Sequence, residues 1–243
     1  MLLLRPGSEL PPGTDARDGD SATWGELARW ADAELPAGTS LLVTDDLLGD
    51  ATAAGADERL RPLDADVAGA RLLVTSEEPP PGSAVLARFG SPDTTALVVV
   101  DPAPGQPSAE ELDRRRRLSA AVVANPNTGA TGRAAEVLQR ADVDARLLGL
   151  LALLVAQLDV GVADFPPAAG QPPDGVLARS VLLDRVGSEP VATGEAATGR
   201  LVAFLDAQLP PFAPQRVEVT EDGVLIGFSY ESAPDALVTE QTP

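Results

Sequence analysis

Between Val143 and Pro166 the chain reads VDARLLGLLALLVAQLDVGVADFP, and this stretch restricts the fold more than any other. An apolar helix over Leu147–Leu158 runs straight into a short strand, Asp159–Asp164, which a Phe-Pro-Pro corner then stops. The helix is bracketed by Arg146 and Asp159 and spans about half the roughly 20 apolar residues that a membrane crossing needs, so it belongs in a protein core. A buried helix feeding a strand predicts an α/β chain. It also puts the carboxylate of Asp164 at a strand's C-terminal end, where α/β folds tend to keep their sites.

The flanking sequence follows the same logic. Ser21 or Thr23 is placed to cap a helix over Trp24–Glu34, with Trp24, Leu27, Ala28, Trp30 and Ala31 at helical spacing. Two tryptophans on one helix could stack on a carbohydrate, but at this spacing packing is the favoured reading. A strand over Ser40–Thr44 ends in Asp45-Asp46, and a helix over Asp46–Ala54 closes at Gly55. Strands follow over Leu60–Leu63, Arg71–Ser76, Ala84–Phe89 and Ala96–Asp101, the last two joined by a hairpin signal, Gly-Ser-Pro-Asp.

After a Pro/Gly joint, Ser108 with Glu111 three residues on opens a helix to about Ala124, stopped by Asn125-Pro126-Asn127. Further helices are expected over Thr131–Arg140 and Thr198–Gln208, and a strand over Leu177–Val186. A hairpin of Gln215–Thr220 and Val224–Tyr230 turns at Glu221-Asp222-Gly223. The expected fold is thus α/β, with mixed sheets flanked by helices and two α/β subdomains: 23–101 and 108–230. Residues 1–22 read as a flexible arm and 231–243 as a loose tail.

Composition removes many functions. Eighteen basic residues, all arginine, face 37 acids for a net charge of −19, which disfavours nucleic-acid binding and direct membrane docking. The one basic run, Arg114–Arg117, follows Glu110, Glu111 and Asp113, so helical pairing on a solvated face is favoured over a phosphate site. No cysteine, histidine or lysine is present, which excludes thiol nucleophiles, Ser-His-Asp triads, histidine-ligated metals, Schiff-base chemistry and a Walker-type phosphate loop. No cofactor is expected. The opening MLLLRPGSE has too short an apolar core for a signal peptide.

Asp45, Asp46, Glu77, Glu78, Asp101 and Asp164 all fall at or just past predicted strand ends. Converging, they could hold Mg²⁺ or Ca²⁺ or form an acid/base pair. In so acidic a chain, solvated acids that begin the next helix are the favoured reading, and Asp46 is placed to cap one. Asp45, Asp46 and Asp164 remain the ligand-binding candidates. The glycine-bearing runs 127–132 and 193–199 fail the strand-before-helix context of a dinucleotide fingerprint.

Three phrases together resemble a known family. Trp30–Asp46, WADAELPAGTSLLVTDD, followed by Gly55, is similar to the segment that opens a soluble extracytoplasmic domain after the last membrane span of actinobacterial GT-C-type glycosyltransferase-like proteins. Ala124-Asn125-Pro126, Val143-Asp144-x-Arg146-Leu147 and Val162–Pro166 look like the middle of that domain, and Ala207–Pro211 with the closing hairpin looks like its end. The resemblance implies an extracytoplasmic, membrane-tethered location and a supporting role in the cell envelope, binding a partner protein or glycan for a membrane enzyme. It carries no catalytic signature. A carboxylate/divalent-metal-dependent enzyme and a two-lobed small-ligand binding protein are the alternatives.

Overall fold

The computed structural model describes residues 15–56, 58–65, 71–90, 96–172 and 175–240. The fold is α/β, with helices alongside two mixed sheets of five and six strands. The first sheet follows helix α1 (Asp15–Glu34) and comprises β1 (Ser40–Val43), β2 (Leu60–Pro62), β3 (Arg71–Thr75), β4 (Ala84–Phe89) and β5 (Leu97–Asp101), with α2 (Asp45–Ala53) between β1 and β2. Its order is β2-β1-β3-β5-β4; β1 runs parallel to both neighbours, whereas β5 is antiparallel to β3 and β4. Both tryptophans of α1 are buried beneath it, Trp24 at 3% and Trp30 at 2% exposure, so they pack rather than offer a stacking face. Trp30 meets Phe89 edge-on, with ring centroids 5.9 Å apart.

The second sheet is preceded by α3 (Ala109–Ala124), β6 (Thr128–Ala130), α4 (Gly132–Arg140) and α5 (Ala145–Gln157). Then come β7 (Val160–Asp164), β8 (Ser180–Val186), β9 (Glu189–Pro190), α6 (Ala196–Asp206), β10 (Arg216–Val219) and β11 (Val224–Gly227). The strand order is β10-β11-β8-β7-β6, with β9 pairing β8. Helix α5 is the core of this half. Leu147, Leu148, Leu150, Leu151 and Leu154 are all fully buried, and their cluster takes in Val160, Val162 and Phe165 from the adjoining strand and corner. Truncating any one of those leucines to alanine costs about 2–5 kcal/mol by the usual transfer and cavity terms.

The sequence-level outline holds for most elements, and the departures have physical causes. Ser108 and Glu111 form the expected capping box at the start of α3. Helix α1 begins at Asp15, so part of the expected 1–22 arm is helical; polar residues without apolar periodicity continue a helix that α1's buried face anchors further on. Asp46 does not cap α2: Thr44 holds the cap position, and both Asp45 and Asp46 lie inside the first turn, where the exposed N–H groups favour negative charge. The 127–132 run includes a strand, β6, which exists because it pairs in parallel with β7. The hairpin turn expected at 90–93 lies mostly outside the described residues.

The largest correction concerns the C-terminus. Pro234–Glu240 form a helix, α7, docked on α3 and α5 rather than a loose tail. Half of the arginine run holds it: Arg115 pairs with Asp235 at 2.5 Å, both side chains nearly buried, and Arg114 donates to Thr239. Only Arg114–Glu110 and Arg116–Asp113 follow the expected helical pairing. Burial raises the pKa of the Asp235 carboxyl, and Arg115 opposes that rise. Asp235→Ala leaves Arg115 without its partner, and we expect a loss of about 3 kcal/mol in urea unfolding together with fast amide exchange throughout α7; unchanged stability would show that α7 is not held by this pair.

Candidate functional site

Period-2 alternation along β11 places Val224 and Ile226 in the core and turns Leu225 and Gly227 to the opposite face. Arg216 on β10 lies directly across from Gly227. A Cβ added at Gly227 would come within 2.9 Å of Arg216 Nε, so the glycine is what lets this guanidinium lie across the strand. Arg216 then reaches Ser180 Oγ with Nη2, at 2.9 Å, and Glu34 Oε1 with Nη1, at 3.2 Å.

Glu34 ends α1 and is 4% exposed. Its second oxygen, Oε2, accepts from Arg179 Nη2 at 3.0 Å, and its backbone oxygen accepts from Tyr230 N–H at 2.6 Å. One carboxylate from the first half is therefore clamped by two guanidiniums from the second. Arg179 is stacked over the Tyr230 ring at 5.4 Å, and its Nε and Nη1 have no hydrogen-bond partner among the described residues. Burial pulls the Arg179 pKa below its ordinary value, while Glu34 and then Asp144 oppose the shift.

One more buried carboxylate, Asp101, joins the halves, and a second, Asp144, braces the later half alone. Asp101, at the end of β5, accepts from Tyr230 OH at 2.7 Å, Ser232 Oγ at 2.6 Å and the Ala103 N–H at 2.9 Å. Asp144 caps α5 and binds Arg146, whose Nη2 donates to Ser229 O at 2.8 Å. Asp101 is thus a structural acceptor.

Beside this node lies a cleft of about 640 Å³ between the halves. Glu26, Arg29, Trp30, Ala33 and Glu34 of α1 form one wall, Arg88–Gly90 another, and Pro166–Gly170 with Arg216 and Leu225 the rest. The Arg88 N–H donates to Gly170 O at 2.9 Å and ties the second wall to the third. Gly170 has φ +69°, and a Cβ there would stand 2.7 Å from Arg88 O, so this closure also needs a glycine. Trp30 Nε1 and Arg216 Nε are buried at the cleft without hydrogen-bond partners among the described residues. The volume falls in the ordinary range for small-ligand pockets.

The sequence-nominated acids are not brought together. Asp45 and Asp46 are exposed at the start of α2 on the first sheet, and Asp164 is half-buried at the end of β7 on the second. Because β1 and β3 are parallel, Asp45-Asp46 and Glu77-Glu78 share one sheet edge, while antiparallel β5 carries Asp101 to the other. Among the described residues no group of three or more acids is placed to hold a metal ion. The cleft residues were missed for a clear reason: Glu34, Arg88 and Arg216 are far apart in sequence. One signal was available, since Leu27, Trp30, Ala31 and Glu34 fall at i, i+3, i+4 and i+7 of the buried stripe of α1.

The chain matches no protein-family model, no curated protein and no solved structure. No described helix is long and apolar enough to cross a membrane.

Two outcomes follow from the node. Glu34→Gln keeps the shape but leaves Arg179 without a countercharge, and the expected loss is about 3–5 kcal/mol in denaturant unfolding; a loss below about 1 kcal/mol would contradict the clamp. Burial first, then the Asp101 hydrogen bond, raises the pKa of the Tyr230 hydroxyl well above its ordinary value near 10. A raised folded pKa gives stability that is present in full below about pH 10 and declines as pH rises past it, because the unfolded phenol ionises first. Tyr230 is the one tyrosine in the chain, so phenolate absorbance should emerge only as the protein unfolds in alkali. Reversible ionisation near pH 10 in folded protein would contradict this environment.

Proposed function

We propose that this chain is a non-catalytic binding module whose ligand enters the cleft lined by Ala33, Pro166-Pro167 and Leu225. The cleft itself carries the reading: it is ligand-sized, with accessible apolar lining and two exposed arginines, Arg29 and Arg88, on its border. Composition points the same way, since histidine, cysteine and lysine, three of the common catalytic side chains, are missing from the sequence. The compartment and the client rest on the sequence resemblance alone. On that basis the module works on the outer side of an actinobacterial membrane, tethered in the full-length protein, and binds an envelope glycan or a partner segment in support of a membrane enzyme.

A thermal-stability screen of the full chain against sugars, small acids and amino acids tests the reading. A true ligand at about 100 times its Kd adds roughly 2.7 kcal/mol, an effect that Ala33→Trp should abolish by filling the cleft. Metal-dependent hydrolysis of an activated ester or glycoside, lost on Asp164→Ala, would overturn it.

A further inference from the structure

In a chain with 37 acids and 18 arginines, guanidiniums have carboxylates in excess to pair with. Arg29 and Arg88 nonetheless border the same cleft with no carboxylate partner among the described residues. Among the described residues Arg29 Nε reaches the Gly25 carbonyl, at 3.2 Å, within its own helix, and the Arg88 side chain has no hydrogen-bond partner. Arg216 lines the cleft as well, but its Nη groups are committed to Glu34 and Ser180 and its Nε lies 3.9 Å from Glu218 Oε1. The opposing acids are few. Glu34 is neutralised by Arg179 and Arg216, which leaves Glu26 as the cleft's other carboxylate. The cleft is therefore a locally cationic spot on a strongly anionic protein, and its accessible apolar lining is Ala33, Pro166, Pro167 and Leu225.

We infer that the ligand of this cleft is a small amphiphilic anion: an apolar body against Ala33, Pro166, Pro167 and Leu225, and a carboxylate or phosphate held by Arg29 and Arg88. Guanidiniums recognise both oxyanions by paired N–H donors, so the head group is defined by charge and geometry. The net charge of −19 disfavours anions over the molecule as a whole. The cleft is then where such a molecule can settle, and the excess acid elsewhere keeps weak anion binding from competing. This inference rests on the binding reading above, and the experiment separates the two.

Isothermal titration of the full chain with phenyl phosphate, benzoate, benzyl alcohol and inorganic phosphate is the test. Phenyl phosphate or benzoate should bind about tenfold or more tightly than benzyl alcohol, which lacks the charge, and than inorganic phosphate, which lacks the apolar body. Whichever of the two organic anions binds more tightly identifies the head group. The double substitution Arg29→Gln with Arg88→Gln, both exposed side chains, should erase the advantage of the anions and leave benzyl alcohol unchanged. Arg117→Gln, an exposed arginine on α3 away from the cleft, should alter nothing. Equal binding of benzyl alcohol and phenyl phosphate, or a double variant that behaves as the parent, overturns the anion inference alone. No binding by any of the three aromatic probes overturns the inference and the cleft reading together.

Discussion

A carboxylate taken out of water must be paired or it unfolds what surrounds it, and Glu34 is the point at which this chain meets that requirement. The cost of burying a lone charge is several kcal/mol, and two guanidiniums offset it here. The clamp matters because its parts come from different halves. Glu34 ends the helix under the first sheet, whereas Arg179 precedes β8 and Arg216 opens β10 of the second. Tyr230 extends the join by donating its backbone N–H to Glu34 and its hydroxyl to Asp101. Each sheet has its own hydrophobic cluster, so burial of apolar area explains each half, and the polar node explains why they are held in one arrangement.

What could be read from the residues follows the range of the interactions. Local patterns were legible. The leucine run of α5, the capping box at Ser108 and the Asp-Gly turn before β11 each depend on neighbours a few residues away. Elements that depend on distant partners were not. Helix α7 is seven residues long and is fixed by Arg115 from more than a hundred residues earlier, although Pro234 with Asp235 in the first turn is a helix-start signal. β6 is three residues with a glycine inside, a strand only through β7. The cleft belongs to the same class. Strand-end acids drew attention because position in a local element is visible, whereas the surroundings of Glu34 are set by pairings across the fold. Its place on the apolar stripe of α1 was the one local hint.

Functionally, the same node gives the cleft its shape and charge. Arg216 can lie flat because residue 227 is glycine, and in doing so it spans from the sheet to Glu34 at the cleft's base. With Glu34 neutralised there, the charge left at the cleft is that of Arg29 and Arg88 against Glu26. On the proposed reading, this accessible apolar lining and its arginines are what would hold a small ligand.

The central claim is that the buried ion node makes the two sheets one cooperative unit. Both tryptophans lie in α1, so their fluorescence reports on the first half alone, while amide exchange in α5 reports on the second. Following both through one urea titration is the most direct test. Coincident midpoints are expected for the parent chain, with Glu34→Gln separating them. Separate midpoints in the parent, with α5 still protected after the tryptophan signal is lost, would contradict the account.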